Sequence, residues 1–540
     1  MCGIFAVLSA SPHDFQPSSA LQTRLVNRGP DHLGRYEFAP DAKRAWALSF
    51  TSTVLALRGS KLVEQPLVDE ASGEVLCWNG EAWKIGERAV SRNDGEEVLK
   101  GLTASDADPA DFLRSIQGPF AFVFFSKARG RLYFGRDRLG RRSLLSCQTG
   151  DALRLSSVAD EPHEGWQEVE ADGFYSIEVR AGFQETMSTL IRHPWVHDEE
   201  LVSGIGLFNE EVSSAPCPLT QQSHSVEQLH QHLMRSLNCR VLDVPRPPGC
   251  HVNGSRIAVL FSGGLDCTVL ARLLNDIVPE THSVDLINVA FENPRIRAQQ
   301  AGADLEKLYE ICPDRVTGRK SFAELVSVCP GRRWRFVAVN VPYSETTSNR
   351  AEVVKLIYPH QTEMDLSIAY ALYFAARGQG MAQETPTATP EPYSTTARVL
   401  LSGLGADELF GGYTRHATAF TRGGHAGLAQ ELKLDVSRLG KRNLGRDDRA
   451  MSHWGREVRF PFLDEELVDW AIGLPVWEKC DFENVGDETY PEAPKRVLRL
   501  LAQKLGMSEV SLEKKRAIQF GARTAKMESG KTKGTTLITA

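Results

Sequence analysis

The stretch Arg256-Ile257-Ala258-Val259-Leu260-Phe261-Ser262-Gly263-Gly264-Leu265-Asp266-Cys267 decides how the C-terminal half of this chain is read. Ile257 to Phe261 is a short apolar run rich in branched side chains, the pattern of a strand buried on both faces. Ser262-Gly263-Gly264 breaks the run, and Cys267 to Leu274 resumes with helical spacing. A strand, a glycine turn and a helix N-terminus together make an anion site. Glycines let backbone N–H groups approach phosphate oxygens, and the helix dipole favours negative charge there. Asp266 beside such a site fits a Mg²⁺ ion lying between carboxylate and phosphate. The pattern is not the G-x-x-x-x-G-K-[ST] loop, so γ-phosphate transfer is not the expectation.

Working outward, Val284 to Phe291, Arg335 to Val341 and Val399 to Leu401 read as further parallel strands alternating with helices. That order predicts an α/β doubly wound sheet with ligands at the strand C-termini. The last strand runs into Ser402-Gly403-Leu404-Gly405-Ala406-Asp407-Glu408-Leu409-Phe410-Gly411-Gly412-Tyr413, a second glycine-rich turn. Both turns should reach the same edge, where Asp266 and Asp407 would hold one Mg²⁺ from opposite sides. Val226 to Leu242 carries Leu229, Leu233 and Leu237 at helical spacing. Leu201 to Thr220, with Pro216 and Pro218, reads as linker. The Pro/Thr-rich stretch Gln383 to Thr396 is expected as a mobile surface loop, and the tail from Gly530 as disordered.

The N-terminal third is strand-rich. Cys2 to Leu8, Ala45 to Arg58 and Val75 to Trp78 are apolar or alternating, and Phe120 to Phe134 reads as a hairpin of buried strands. Short helical patches at Glu96 to Leu102 and Asp111 to Ile116 complete an α+β domain. Its chemistry centres on Cys2. Methionine before a small residue is usually removed, and the α-amine then exposed, with a pKa near ~8, is a base for the neighbouring thiol.

Six signals occur in order: Met1-Cys2-Gly3-Ile4-Phe5, Arg28-Gly29-Pro30-Asp31, Gln65-Pro66-Leu67, Asn79-Gly80-Glu81, Asp94-Gly95-Glu96 and Gly135-Arg136-Asp137-Arg138-Leu139-Gly140. The series resembles a class II glutamine amidotransferase domain of the Ntn-hydrolase type. The resemblance implies that Cys2 attacks the glutamine amide, that Asn79 and the Gly80 N–H form the oxyanion hole, and that Glu81 and Asp94 hold the α-ammonium group. In the C-terminal half, Ser262-Gly263-Gly264-Leu265-Asp266, the turn from Ser402 to Tyr413, and Val458-Arg459-Phe460-Pro461-Phe462-Leu463-Asp464 resemble the ATP-pyrophosphatase-type synthetase domain of glutamine-hydrolysing asparagine synthetases. More narrowly, Asn443 to Arg449 and Lys514 to Gly521 resemble the asparagine synthetase domain-containing branch of that family. The resemblance implies an adenine nucleotide alpha hydrolase-like fold and an ATP- and Mg²⁺-dependent reaction. Aspartate, or a related carboxylate, would be adenylated and then aminated by ammonia from glutamine. Ser262, Gly263, Gly264, Asp266 and Cys267 would bind pyrophosphate, Val259 to Phe261 (with Leu260), Val289 and Gly403 would flank the adenosine, and Ser402 would belong to the same ATP site. Lys515, or Lys514 one register earlier, would neutralise phosphate charge. Residues 2–182 are thus expected as the amidotransferase domain, 183–224 as linker, 225–526 as the synthetase domain and 527–540 as a tail.

Three departures from the family pattern stand out. Cys267 replaces the serine that usually ends the pyrophosphate loop, a weaker donor. Val54 stands where an arginine is expected to grip the glutamine α-carboxylate, and Arg58, four residues on in a presumed strand, is at the wrong distance. Leu404 stands where a glutamate is expected for proton transfer, help worth ~10²–10⁴ in rate. These losses point to weakened or redirected activity. Alternatives therefore stay open: an amidotransferase or cyclase acting on another carboxylate, in the manner of β-lactam synthetases, or a nucleotide-binding relative working through a protein partner.

Composition narrows the rest. The 540 residues carry 24% charged side chains and a net charge of −7, globular values that exclude a general nucleic-acid or membrane-surface binder. No apolar run approaches the ~20 residues of a membrane span. Ten cysteines without C-x-x-C pairs suit free thiols in a reducing cytoplasm, and no secretory signal is expected at the N-terminus. Small molecules are the expected partners, with homodimer formation left open. Intact-mass measurement of the purified chain should show Met1 absent and Cys2 unmodified. A retained Met1 or an acetylated Cys2 removes the N-terminal nucleophile.

Overall fold

The computed structural model describes all residues except 1, 11–15, 39–45, 60, 105–107, 162–164, 199, 214–216, 248, 251–253, 301, 303, 485–489, 528–532 and 539–540. Met1 therefore lies outside the described residues. The chain divides into two compact units, one of residues 1–199, 352–361 and 438–457, the other of 200–351, 362–437 and 458–540.

In the first unit the alternation of apolar residues builds two six-stranded sheets. Gly3–Ser9 lies inside one of them, between Ala152–Ser156 and Ala47–Val54, and Glu74–Gly80 pairs with Phe120–Ser126 in the other, all antiparallel. Period-two patterning sends one set of side chains between the sheets: Ile4, Ala6, Leu48 and Phe50 meet Val75, Cys77, Val123 and Phe125. The alternate residues Leu76, Trp78, Phe120, Phe122 and Phe124 face outward and are covered by Val98, Leu102 and Leu113, from the helices Asp94–Leu102 and Pro109–Arg114. The result is the Ntn-type architecture expected from the sequence. The packing of the two sheets places Cys2, just before the strand Gly3–Ser9, beside Asn79 and Gly80, at the end of Glu74–Gly80.

The unit does not stop near residue 182. Ile191–Pro194 adds an edge strand by pairing with Gly173–Glu178, so the unit runs on past residue 182 and this stretch is not a linker. Segments 352–361 and 438–457 join it through buried ion pairs that no local sequence pattern announces. Asp448 pairs with Arg28 at 2.9 Å and Arg142 at 3.5 Å, and Glu168 pairs with Arg449 at 2.6 Å and Arg136 at 3.1 Å. Arg449 also donates to the carbonyl oxygens of Leu356 and Ile357.

The second unit holds a seven-stranded sheet in the order Glu391–Ser394, Gln379–Gln383, Trp334–Val341, Val284–Phe291, Ile257–Leu260, Val399–Leu401, Glu457–Arg459. The four strands read from the sequence are its parallel centre. The Pro/Thr-rich stretch is only in part a loop: Gln379–Gln383 and Glu391–Ser394 form an antiparallel hairpin on the sheet edge, and residues 384–390 connect its strands. Tyr393 ties it down, donating to Asp285 at 2.9 Å and lying under the Arg335 guanidinium, 4.5 Å from the ring centre. The tail is ordered in part as well. Residues 528–532 and 539–540 lie outside the described residues, but Gly534 and Thr536 accept hydrogen bonds from Met364 and Glu363, N–H groups that a helix start leaves unpaired.

Asp448→Ala strands two buried guanidinium groups and should cost about 3–5 kcal/mol. Urea unfolding followed by tryptophan fluorescence reads this, and a loss below about 1 kcal/mol would show that the 438–457 segment is dispensable to the first unit.

Candidate functional site

Around Cys2 the sequence-predicted residues converge. Cys2 is buried, its backbone N–H donates to Asn79 Oδ1 at 2.9 Å, and the Gln65 amide lies 3.7 Å from its sulfur. Gly80 has φ +145°, and a Cβ there would strike the Pro119 carbonyl, so this turn accepts only glycine. A cavity of about 40 Å³ is lined by Cys2, Gly80, Glu81 and Asp94 together with Val54, Arg58 and Glu457. Burial pushes the Cys2 thiol up from its ordinary value. The Leu55 amide lowers it in part, while Glu457 and Asp94 add to the rise. Burial also raises Asp94, against the charge of Arg58 and hydrogen bonds from Ala82 N–H and Trp78 Nε1, each 2.9 Å.

The geometry corrects one expectation. The strand ends at Val54, so Arg58 follows it on a loop and strand spacing does not govern its reach. Asp31 fixes that loop by accepting the Ala56 N–H at 2.9 Å. Arg58 consequently enters the same cavity, with Nε 2.7 Å from Glu81 Oε2. That contact is an ion pair without hydrogen-bond alignment. Arg28 is a bracing residue, donating to the Cys2 carbonyl at 3.3 Å and to Asp448. Asp137 is likewise structural, accepting the N–H groups of Phe120, Leu139 and Arg141.

In the second unit the two glycine turns touch. A Cβ on Gly403 would meet the Asp266 side chain at 2.8 Å, and one on Gly263, at φ +80°, would meet the backbone of Gly318 at 2.5 Å. Asp266 and Asp407 each begin a helix, Leu265–Ile277 and Ala406–Phe410. Both carboxylates face one ammonium that sequence reasoning missed. Lys495 Nζ lies 2.8 and 2.9 Å from the oxygens of Asp266 and 2.9 Å from Asp407. Lys495 is 3% exposed and sits at φ +56°, before the helix Arg496–Lys504, with its N–H on the Phe410 carbonyl. A lone lysine ahead of an apolar helix carries no motif, so nothing in the sequence marked it.

Lys515 is the lysine at the site, paired with Asp407, whereas Lys514 is exposed and 4.0 Å from Glu492. Lys515 also lies over the Tyr413 ring, whose hydroxyl donates to Glu408 at 2.6 Å. His416 holds that turn from behind, accepting the Tyr413 N–H on Nδ1 while Nε2 meets Asp435 at 2.9 Å. Burial acts to raise both aspartates. It prevails at Asp266, while the charges of Lys495 and Lys515 hold Asp407 well below the usual carboxylate range. Lys495 is raised, the two carboxylates outweighing its burial.

Cys267 behaves differently from a phosphate ligand. Its thiol is turned into the loop, 3.3 Å from the Gly264 carbonyl and 3.6 Å from Ser262 Oγ. Leu260 and Val289 end and line the central strands, and Ser402 N–H bonds the Arg459 carbonyl at 3.0 Å. Leu404 donates its N–H to Ser402 Oγ at 3.3 Å and brings no ionisable group to the turn. A larger cavity of about 180 Å³, walled by Tyr343, Tyr370 and Phe520, contains none of the sequence-predicted residues. Chemistry, and not size, selects the site.

Comparison with known proteins agrees with this geometry. Residues 1–172 match a glutamine amidotransferase domain family, and residues 392–427 and 421–534 match the asparagine synthase family. Asparagine synthetase domain-containing protein 1 of Bos taurus is 32% identical, over 99% of this chain and 97% of the relative. The chain belongs to the asparagine synthetase domain-containing proteins. A Saccharomyces cerevisiae member is 33% identical over 95% of this chain and 90% of its own length. A glutamine-hydrolysing asparagine synthetase of Brassica oleracea is 26% identical over 92% of this chain and 76% of the relative.

For this asparagine synthetase domain-containing protein, removing Lys495 leaves two buried carboxylates with only Lys515 between them. Lys495→Met should lower unfolding free energy by about 3–5 kcal/mol near neutral pH. Asp407, lowered in the fold, contributes stability above its unfolded pKa and loses it only as the pH falls through the lowered value. In the variant a carboxylate is raised instead, so the deficit should shrink below about pH 5. Urea unfolding across pH checks this, and a deficit independent of pH contradicts it.

Proposed function

We propose that the chain is a glutamine-dependent ATP amidoligase that makes an amide by way of an acyl-adenylate. The observation that carries this reading is the convergence of Asp266, Asp407, Lys495 and Lys515 beside two glycine turns. Four balanced charges at the end of a strand-turn-helix suit a polyphosphate that brings its own cation. Asp266 and Asp407 would hold Mg²⁺, which would neutralise phosphate oxygens and the leaving pyrophosphate. The two lysines and the N–H groups around Ser262, Gly263 and Gly264 would bind the phosphates, with Leu260, Val289 and Gly403 beside the nucleoside.

At the other site Cys2, with its own α-amine as base once Met1 is removed, attacks the glutamine carboxamide. Asn79 and the Gly80 N–H stabilise the oxyanion. Ammonia leaves and water releases glutamate. A carboxylate and ATP give acyl-adenylate and pyrophosphate, and ammonia then displaces AMP to give the amide. The aspartate-to-asparagine reaction is the version implied by the relatives' names.

Leu404 favours a second reading of the acceptor. Leucine neither accepts nor donates a proton and suits an acceptor less polar than aspartate. Binding and chemistry should therefore separate. The deciding experiment is ATP/pyrophosphate exchange with a panel of amino acids and other small carboxylates in a reducing, cytoplasm-like buffer. Exchange should appear with at least one carboxylate and vanish in Asp266→Ala. Asparagine formation should be slow and should rise about 10²-fold or more in Leu404→Glu. Wild-type asparagine synthesis at ~1–10³ s⁻¹ contradicts the reading of Leu404. No exchange with any acceptor leaves only a nucleotide-binding protein acting through a partner.

A further inference from the structure

The cavity of about 180 Å³ in the second unit has no part in the proposed chemistry, yet it lies at the sheet edge where ligands gather. Tyr343, on its wall, follows the end of the strand Trp334–Val341. The neighbouring strand Val284–Phe291 ends with the Phe291 N–H on the Ala522 carbonyl at 3.2 Å, three residues before the wall residue Ala525. Tyr343, Tyr370, Phe520 and Met364 make the walls aromatic and apolar, and Phe520 and Met364 are 55% and 46% exposed. An apolar cavity of ~150 Å³ takes up benzene, so this one has room for a single ring with a short polar tail. A nucleotide is too large for it.

The cavity also has a polar end. Thr524 on its wall is 3% exposed, and its hydroxyl has no hydrogen-bond partner among the described residues. By contrast, the Thr346 and Ser367 hydroxyls of the same wall donate to the carbonyls of Pro342 at 3.3 Å and Met364 at 2.9 Å. The backbone that carries Thr524 is fixed on both sides. Asn293 Nδ2 donates to the Arg523 and Ala525 carbonyls, each at 3.1 Å, and Arg523 and Lys526 sit at φ +66° and +55°. A buried, unpaired hydroxyl costs free energy that an acceptor oxygen on a ligand would recover. Charge sets the sign of that ligand: Arg350, Lys526 and Lys533 line the cavity against one carboxylate, Glu363. Lys526 and Lys533 are exposed, and neither pairs with a carboxylate among the described residues. The helix Glu363–Arg377 adds no free donor at its start, because the Glu363 and Met364 N–H groups are held by the Thr536 and Gly534 carbonyls at 2.9 Å.

We propose that this cavity binds a small carboxylate carrying one aromatic or branched apolar group. The apolar part lies among Tyr343, Tyr370 and Phe520, and the carboxylate meets Thr524 and the two lysines. The proposal does not depend on the amidoligase reading.

Calorimetric titration of the full chain with phenylacetate, 3-phenylpropanoate and 4-methylpentanoate tests it, with the amide of each as the uncharged control. At least one carboxylate should saturate at or below about 1 mM, and its amide should bind at least about 10-fold more weakly. Thr524→Val removes the hydroxyl and keeps the shape, so it should weaken the carboxylate about 3- to 10-fold without lowering Tm. Phe520→Ala, at an exposed position, should weaken carboxylate and amide alike by about 10-fold. Near-UV circular dichroism reports whether each variant keeps the fold. No saturable binding by any of the three, equal binding of acid and amide, or full affinity in both variants overturns the proposal.

Discussion

One buried ammonium organises the synthetase half of this molecule. Two carboxylates on facing glycine turns cannot share a desolvated corner unless a cation stands between them. Lys495 Nζ supplies that cation, within 2.9 Å of both Asp266 and Asp407. Lys495 itself sits in a left-handed backbone conformation, which a non-glycine residue adopts at a cost, with its N–H on the Phe410 carbonyl. Gly403 serves the same end by the absence of a side chain, since a Cβ there would push Asp266 away.

The same logic separates what the chain retains from what it has lost. The four charged groups proposed to hold a polyphosphate, Asp266, Asp407, Lys495 and Lys515, stand together and are supported by neighbours, down to His416 behind Tyr413. The position where the family resemblance leads one to expect a glutamate is filled by Leu404, whose backbone N–H donates to Ser402 Oγ. At Cys2 the balance is reversed. Val54 looked like a loss, yet the cavity regains its cation from Arg58. A missing side chain at one position is informative only once the surrounding loop is known to offer no substitute.

Much of this was legible in the sequence because it depends on local pattern. Apolar runs, alternating in the first unit and continuous in the second, gave the strands, and the Ser262-Gly263-Gly264 and Gly403–Gly405 turns gave the places where backbone had to come close. Asn79, Gly80, Glu81 and Asp94 came with their motifs. What stayed hidden depends on pairing at a distance. The role of Lys495 needs a contact 229 residues away, and the attachment of residues 438–457 needs the Asp448 pair with Arg28, 420 residues away. The hairpin at Gln379–Ser394 was misread because proline and threonine are permitted at a sheet edge, where one side of the strand needs no ladder partner. Arg58 was misjudged by extending a strand past its end at Val54.

The ammonium of Lys495 fills the place between Asp266 and Asp407 that a divalent cation would otherwise take. Calorimetric titration of the unmodified chain with Mg²⁺, first alone and then with ATP present, tests it directly. No Mg²⁺ binding tighter than ~1 mM is expected without nucleotide, and with ATP present a saturable heat should remain after the Mg–ATP heat measured without protein is subtracted. Tighter binding of Mg²⁺ to the protein alone would mean that the two carboxylates are available to a metal, and that Lys495 does not hold them.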